Sequence, residues 1–200
     1  MGWWGHDVLS GDPALDMLGT LTDLIGLDHD QVPLYPDGVL SDPQTRARIC
    51  RWVTDQGHGG LTAAVRAASG WRSDDELAAE ADWLTDQEPD VDPSELHTAI
   101  QASRTEDEQL AWQVLAVLTM AAGAALPPQT HTRMVGAGTH DVWAQHDPAR
   151  QAAMDRYLAT LARYDGTPSA VRSATLGDAF DRAVEVGHTG LLNVDPDHRR

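Results

Sequence analysis

Histidine beside aspartate can hold a divalent metal, and this chain sets the two side by side repeatedly, at His6-Asp7, Asp28-His29-Asp30, His140-Asp141 and His146-Asp147. Imidazole nitrogen with carboxylate oxygen suits Zn, Mn or Fe. The densest group is N-terminal: His6, Asp7, Asp12 and Asp16. Asp12 and Asp16 are one helical turn apart, so both can face one side as an acid pair or a cation site. With His140 added, this set defines one reading, a metal-dependent hydrolase or metal-binding enzyme. The spacing argues against it, because the chain has no HExxH, no histidine pair four apart on a strong helix and no cysteine cluster. A helix cap at Asp12, with Asp16 complementing the helix dipole, accounts for the acid pair without a metal.

Nucleophilic chemistry has less support. Cys50 is the only cysteine and stands among Ile49, Trp52 and Val53, the setting of a core residue rather than a reactive thiol. No serine lies in a GxSxG elbow. Gly136-Ala137-Gly138 has no strand pattern before it and reads poorly as a phosphate loop. All fourteen basic residues are arginine, which excludes a lysine Schiff base and a P-loop lysine. These readings imply no catalytic residue and no cofactor.

The elements that would position any site are written plainly. Asp-Pro occurs at Asp12-Pro13, Asp42-Pro43, Asp92-Pro93 and Asp147-Pro148, each before a helical pattern. Aspartate caps free backbone amides, and proline at the first helical position has no amide to leave unpaired. Ser73 with Glu76 and Thr105 with Glu108 read as capping boxes. Gly26, Gly57, Gly70 and Gly166 follow helical runs as C-terminal stops. Helices are predicted at about 13–25, 43–56, 60–69, 74–87, 93–103, 106–125, 128–135, 148–164 and 176–186. Leu110, Val114, Leu115, Val117 and Leu118 nearly encircle theirs, which makes it central and buried. Only Val32–Leu40 and Leu191–Val194 have room for a short extended pairing. The fold class is therefore all-α: a compact domain over 1–200 of about eight or nine helices around a buried 106–125 helix, with a subdomain seam near 88–92.

Composition narrows the partners. The formal charge is -17, from 31 carboxylates, most of them aspartate. Such a surface repels nucleic acid and anionic membranes and favours basic proteins. The lack of lysine fits a GC-rich genome such as that of an actinobacterium or its phage, a high-salt habitat, or selection against lysine modification. One cysteine permits no intrachain disulfide, in keeping with a reducing cytoplasm. The start at Met1 lacks the basic-then-apolar pattern of a signal peptide. The longest apolar run, Ala111–Leu126, is interrupted by Gln113 and Thr119 and is better suited to a buried helix than to a membrane span.

Two residue classes remain as contact candidates. Seven tryptophans have no basic patch around them and so form no stacking platform for single strands. Trp52, Trp83 and Trp112 are predicted to be core, while Trp3 and Trp4 either pack the N-terminus or anchor a partner. The acidic starts Asp74, Asp75, Glu76 and Glu106, Asp107, Glu108 can present a carboxylate array that imitates DNA phosphates, or simply a solvated face.

Gly2-Trp3-Trp4 followed by Gly11-Asp12-Pro13-Ala14-Leu15-Asp16 resembles the opening of a family of phage and bacterial proteins of unknown function, marked by a Gly-Trp pair and a Gly-Gly-Asp-x-Pro-x-Asp type segment. The similarity extends through Gln113–Met120, Gly123-Ala124-Ala125-Leu126-Pro127, Trp143-Ala144 and Tyr164-Asp165-Gly166-Thr167-Pro168, about half the chain. Ser10 stands where the family has glycine, Pro13 directly follows Asp12, and His140-Asp141-Val142 replaces a more acidic run. The resemblance implies a phage-associated helical protein, without catalytic signature, acting in the contest between phage and host. Together these readings favour a non-enzymatic, acidic, cytoplasmic interaction protein that binds a basic protein surface as an inhibitor or anti-defence factor. An immunity protein or antitoxin is a third alternative.

Overall fold

The computed structural model describes residues 7–9, 11–27, 40–87 and 92–169. Among these the chain forms α1 (Asp12–Ile25), α2 (Pro43–Ala68), α3 (Asp74–Gln87), α4 (Pro93–Ala122), α5 (Pro128–Thr139) and α6 (Pro148–Ala162), with one 3₁₀ turn at Trp143–Gln145. The described residues include no β-strand, so the chain is all-α. No helix among them is long and apolar enough to cross a membrane.

The Asp-Pro starts work as hydrogen-bond chemistry requires. Asp42 accepts from the Thr45 amide at 2.7 Å, Asp92 from the Ser94 amide at 2.8 Å, and Asp147 from the Ala149 and Arg150 amides at 2.8 and 3.1 Å. The fourth start is shifted by one residue: Gly11 holds the cap position of α1 and Asp12 is already helical. There its carboxylate complements the helix dipole instead. At α3, Ser73 and Glu76 form the expected reciprocal box, with the Ser73 amide donating to Glu76 at 2.7 Å and the Glu76 amide to Ser73 Oγ at 3.3 Å.

Of two expected breaks one is present only as a kink and the other is absent, and six α-helices stand among the described residues where eight or nine were expected. The spans 43–56 and 60–69 belong to one α2 bent at Gly57, whose φ of 57° and ψ of -170° leave the helix for a single residue. Glycine takes that geometry without a Cβ clash. The spans 93–103 and 106–125 are one continuous α4. Thr105 Oγ1 donates to the Gln101 carbonyl four residues back, at 2.9 Å; the hydroxyl is spent inside the helix and caps nothing. The expected helix at 176–186, the pairing segment 191–194 and all of the 88–92 seam except Asp92 lie outside the described residues, as does all of the 32–40 segment except Leu40, whose amide donates to the Ala121 carbonyl at 3.2 Å.

α4 ends at Gly123, not near 125. Gly123 has φ 80°, and its amide bonds back to Thr119 and Met120. A Cβ there would stand 2.7 Å from the Pro168 ring, where the chain beyond α6 crosses and Ser169 donates to the Met120 carbonyl at 2.9 Å. Gly123→Ala combines left-handed strain with that clash and should cost about 1–3 kcal/mol, read as a lowered Tm. An unchanged Tm would contradict the crossing.

Every residue from Leu110 to Ala122 is buried. This half of α4 packs against α1, α2 and α5, and α6 closes over α5. Leu21, Ile49, Leu61, Met134, Met154 and Leu161 all reach one continuous cluster around it. α3 is different. Its buried residues, Leu77 and Ala81, lie outside that cluster, and it packs chiefly on α4. Asp74 at the start of α3 meets Arg104 at 2.8 Å, and the end of α3 leads back toward Pro93. The two therefore run antiparallel, and α3 with the first half of α4 forms a helical arm beside the main core.

Candidate functional site

The arm carries the most concentrated charge. α3 presents Asp74, Asp75, Glu76, Glu80, Asp82 and Asp86 and has no basic residue of its own. Three of these are answered in part. Asp74 pairs with Arg104, Glu80 with Arg72, and Glu76 is held by Ser73. Hydrogen bonds and charge from Arg104 hold the Asp74 carboxyl below the usual range, and the Ser73 amide and hydroxyl do the same for Glu76. Asp75, Asp82 and Asp86 are exposed. At i, i+7 and i+11 they line a single stripe of the helix.

Trp83 stands beside that stripe at 60% exposure. The expectation that it is core is therefore corrected. The buried face of α3 is set by Leu77 and Ala81, and residue 83 falls on the far side of a helix of 3.6 residues per turn. Trp112 is buried, and Trp52 packs partly buried against the core, as expected. At the other end of the arm Trp71 lies under two guanidinium groups, Arg66 at 4.6 Å and Arg104 at 5.6 Å from the ring centroid.

The antiparallel pairing brings the two acidic triplets to one end of the arm, since Asp74 touches Arg104 and Asp107 feels the charge of Arg72. Glu106 is exposed, whereas Asp107 and Glu108 are partly buried. Burial pushes the Asp107 carboxyl up, against the pull of Arg72 and a hydrogen bond with Ser103. Arginine thus compensates this end in part, and the uncompensated stripe lies toward Trp83.

The metal candidates are not gathered. Asp7 is tied to Arg156 of α6 at 3.0 Å. Asp16 is exposed on α1, and His140 is exposed at the C-terminal end of α5. Among the described residues no three histidine, cysteine, aspartate or glutamate side chains converge on one point. His6, Trp3 and Trp4 lie outside the described residues. Cys50 is half-buried, its thiol pushed up by burial and directed at the Ala122 carbonyl at 3.6 Å, the surroundings of an unreactive thiol.

A buried charged cluster escaped the sequence reading. Arg150 of α6, 2% exposed, donates from Nη2 to Asp141 Oδ2 at 2.7 Å and from Nε to the same oxygen at 3.2 Å. Gln113 of α4 donates to Asp141 at 3.0 Å and to the Ala137 carbonyl at 2.9 Å, and accepts from Arg150 at 2.8 Å. Asp141 also accepts from the Ala144 amide at 2.7 Å. Burial pushes the Asp141 carboxyl up, but Arg150, Gln113 and Ala144 together hold it below its ordinary value. The guanidinium also lies 4.9 Å from the Trp143 ring centroid. The cue was Gln113, a polar side chain in the middle of an apolar run, which burial obliges to find partners.

Comparison with protein-family models, curated proteins and solved structures finds no match.

Proposed function

We propose that this protein is a non-enzymatic interaction protein whose acidic arm binds a basic protein surface. The observation that carries the reading is Trp83, an indole 60% exposed beside the carboxylate stripe Asp75, Asp82 and Asp86. An exposed tryptophan contributes little to the free chain, but in a complex it is the side chain most often found to dominate binding. The stripe steers a basic surface into contact, and the indole anchors it. With a formal charge of -17 behind it, such association weakens steeply with salt. The sequence resemblance to phage and bacterial proteins supports a setting in the bacterial or phage-infected cell, with inhibition of a host protein as the outcome of binding.

The test is affinity capture from a bacterial lysate over a range of ionic strength, with the natural chain, Trp83→Ala and the triple variant Asp75→Asn/Asp82→Asn/Asp86→Asn side by side. The natural chain should retain a basic protein that salt releases. Trp83→Ala should weaken retention by about tenfold or more, and the triple variant should flatten the salt dependence. Equal capture by all three would refute the arm as the binding face.

A further inference from the structure

Where α4 leaves the arm and enters the core, it borders a cleft of about 130 Å³. That is well short of the roughly 300–1,000 Å³ typical of small-molecule and cofactor sites, and it matches one long side chain. Its walls are apolar: Pro13 from the first turn of α1, Leu110 from α4, and Val142 with Trp143 from the loop before α6. Val142 is one of three large apolar side chains exposed among the described residues. The floor is the Arg150–Asp141–Gln113 cluster, whose charges are already matched within the protein. A ligand lying over this floor therefore has no unmatched charge to answer there. The lip is acidic, with Glu106 exposed and Asp107 half-buried. Arg72 acts on Asp107 and is itself engaged with Glu80.

Apolar walls, a self-neutralised floor and two carboxylates at the lip complement one kind of group, an alkyl stem ending in a cation. We propose that this cleft takes a single arginine or lysine side chain of the basic partner, laid lengthwise along it, its methylenes against Pro13, Leu110, Val142 and Trp143 and its charged end between Glu106 and Asp107. Long basic side chains bury their stems and keep their charge at the surface in this way. The inference rests on the interaction reading above and adds a second contact to it, at the opposite end of the arm from Trp83.

The probes are n-butylguanidinium and n-butylammonium, with neutral n-butylurea as control, titrated into the full chain and followed by NMR at the Trp143 indole N–H and the Asp107 carboxyl. Both cations should give saturable shifts at these two groups, and n-butylurea should bind about tenfold more weakly or not at all. Bound cation should also lower the titration midpoint of Asp107. Glu106→Gln/Asp107→Asn should abolish the preference for the cations. Val142→Arg, made at an exposed position, should fill the mouth and block all three probes without unfolding the chain. Equal binding of n-butylurea, or unsaturable shifts spread over every acidic residue, would overturn the proposal. In the capture experiment, Val142→Arg should weaken retention as Trp83→Ala does. Full retention by Val142→Arg with loss in Trp83→Ala removes the cleft and leaves the arm reading standing.

Discussion

Asp141→Asn should destabilise this protein by about 3–5 kcal/mol, a large share of the roughly 5–15 kcal/mol that holds a domain together. The carboxylate is the counter-charge of Arg150, whose side chain is 2% exposed against 7% for Asp141. An asparagine keeps the shape and removes the charge. It also turns an amide toward donors already present, the Arg150 guanidinium, the Gln113 amide and the Ala144 N–H. A buried cation then loses the carboxylate it meets at 2.7 Å, and breaking a buried ion pair from one side is the costly way to lose it. Asp141→Leu with Arg150→Met should cost less than the sum of the two single changes, because the pair leaves together. Acid should mimic the substitution. The Asp141 carboxyl lies below its ordinary value in the folded protein, so its contribution is complete above the unfolded value of about 3.9 and is lost as pH falls through the folded one. The gap between the natural chain and Asp141→Asn, measured by urea unfolding, should therefore be wide at neutral pH and narrow progressively as the pH falls below about 3.9. A gap of constant width would show that charge is not what Asp141 supplies.

Much of the fold is legible in local chemistry. Asp-Pro and Ser73/Glu76 mark helix starts because a short acceptor side chain satisfies amides that no turn of helix precedes. Asp42, Asp92 and Asp147 all do so. What local chemistry cannot show is continuity. Thr105 with Glu108 has the form of a capping box, yet the backbone runs straight through it. The apolar half of α4 is held on several sides by other helices, and α3 supports the half before it. That tertiary packing outweighs a cap worth about 1 kcal/mol. At Gly57 the balance goes the other way: the stop written in the sequence interrupts the helical geometry for one residue, and the two segments meet there at a kink.

The site was less legible because its residues are distant in sequence. Gln113, Asp141 and Arg150 belong to α4, a loop and α6, and neither periodicity nor motif links them. The unexplained polar residue at 113 was the one sign of them. Trp83 was misplaced for a simpler reason: tryptophan is assumed buried by type, whereas the helical wheel drawn through Leu77 and Ala81 already turns it outward. The histidine–aspartate adjacencies carried no geometric information, and the structure leaves Asp16 and His140 exposed and gives Asp7 to Arg156.

Leu115→Ala and Leu77→Ala should separate the arm from the body. Both leucines are fully buried, and the same substitution at such sites costs about 2–5 kcal/mol. Leu115 lies in the continuous cluster that joins α4 to the helices around it. The loss there is felt by the whole core, so the urea midpoint should fall by the full amount. Leu77 lies outside that cluster, on a helix whose other buried residue is Ala81. Its loss should fall on the arm alone, because an element with few buried apolar contacts opens at a free energy below that of global unfolding. Leu77→Ala should leave the main transition nearly in place while amide exchange accelerates by about thirtyfold or more in 74–87 and 93–104. The binding face sits on the segment that opens, so this variant should also lose a salt-sensitive partner as fully as Trp83→Ala does, although Trp83 itself is untouched. If exchange instead rises evenly through Leu110–Ala122 as well, α3 is an integral part of the core, and the exposed indole is carried by the most stable part of the protein rather than the least.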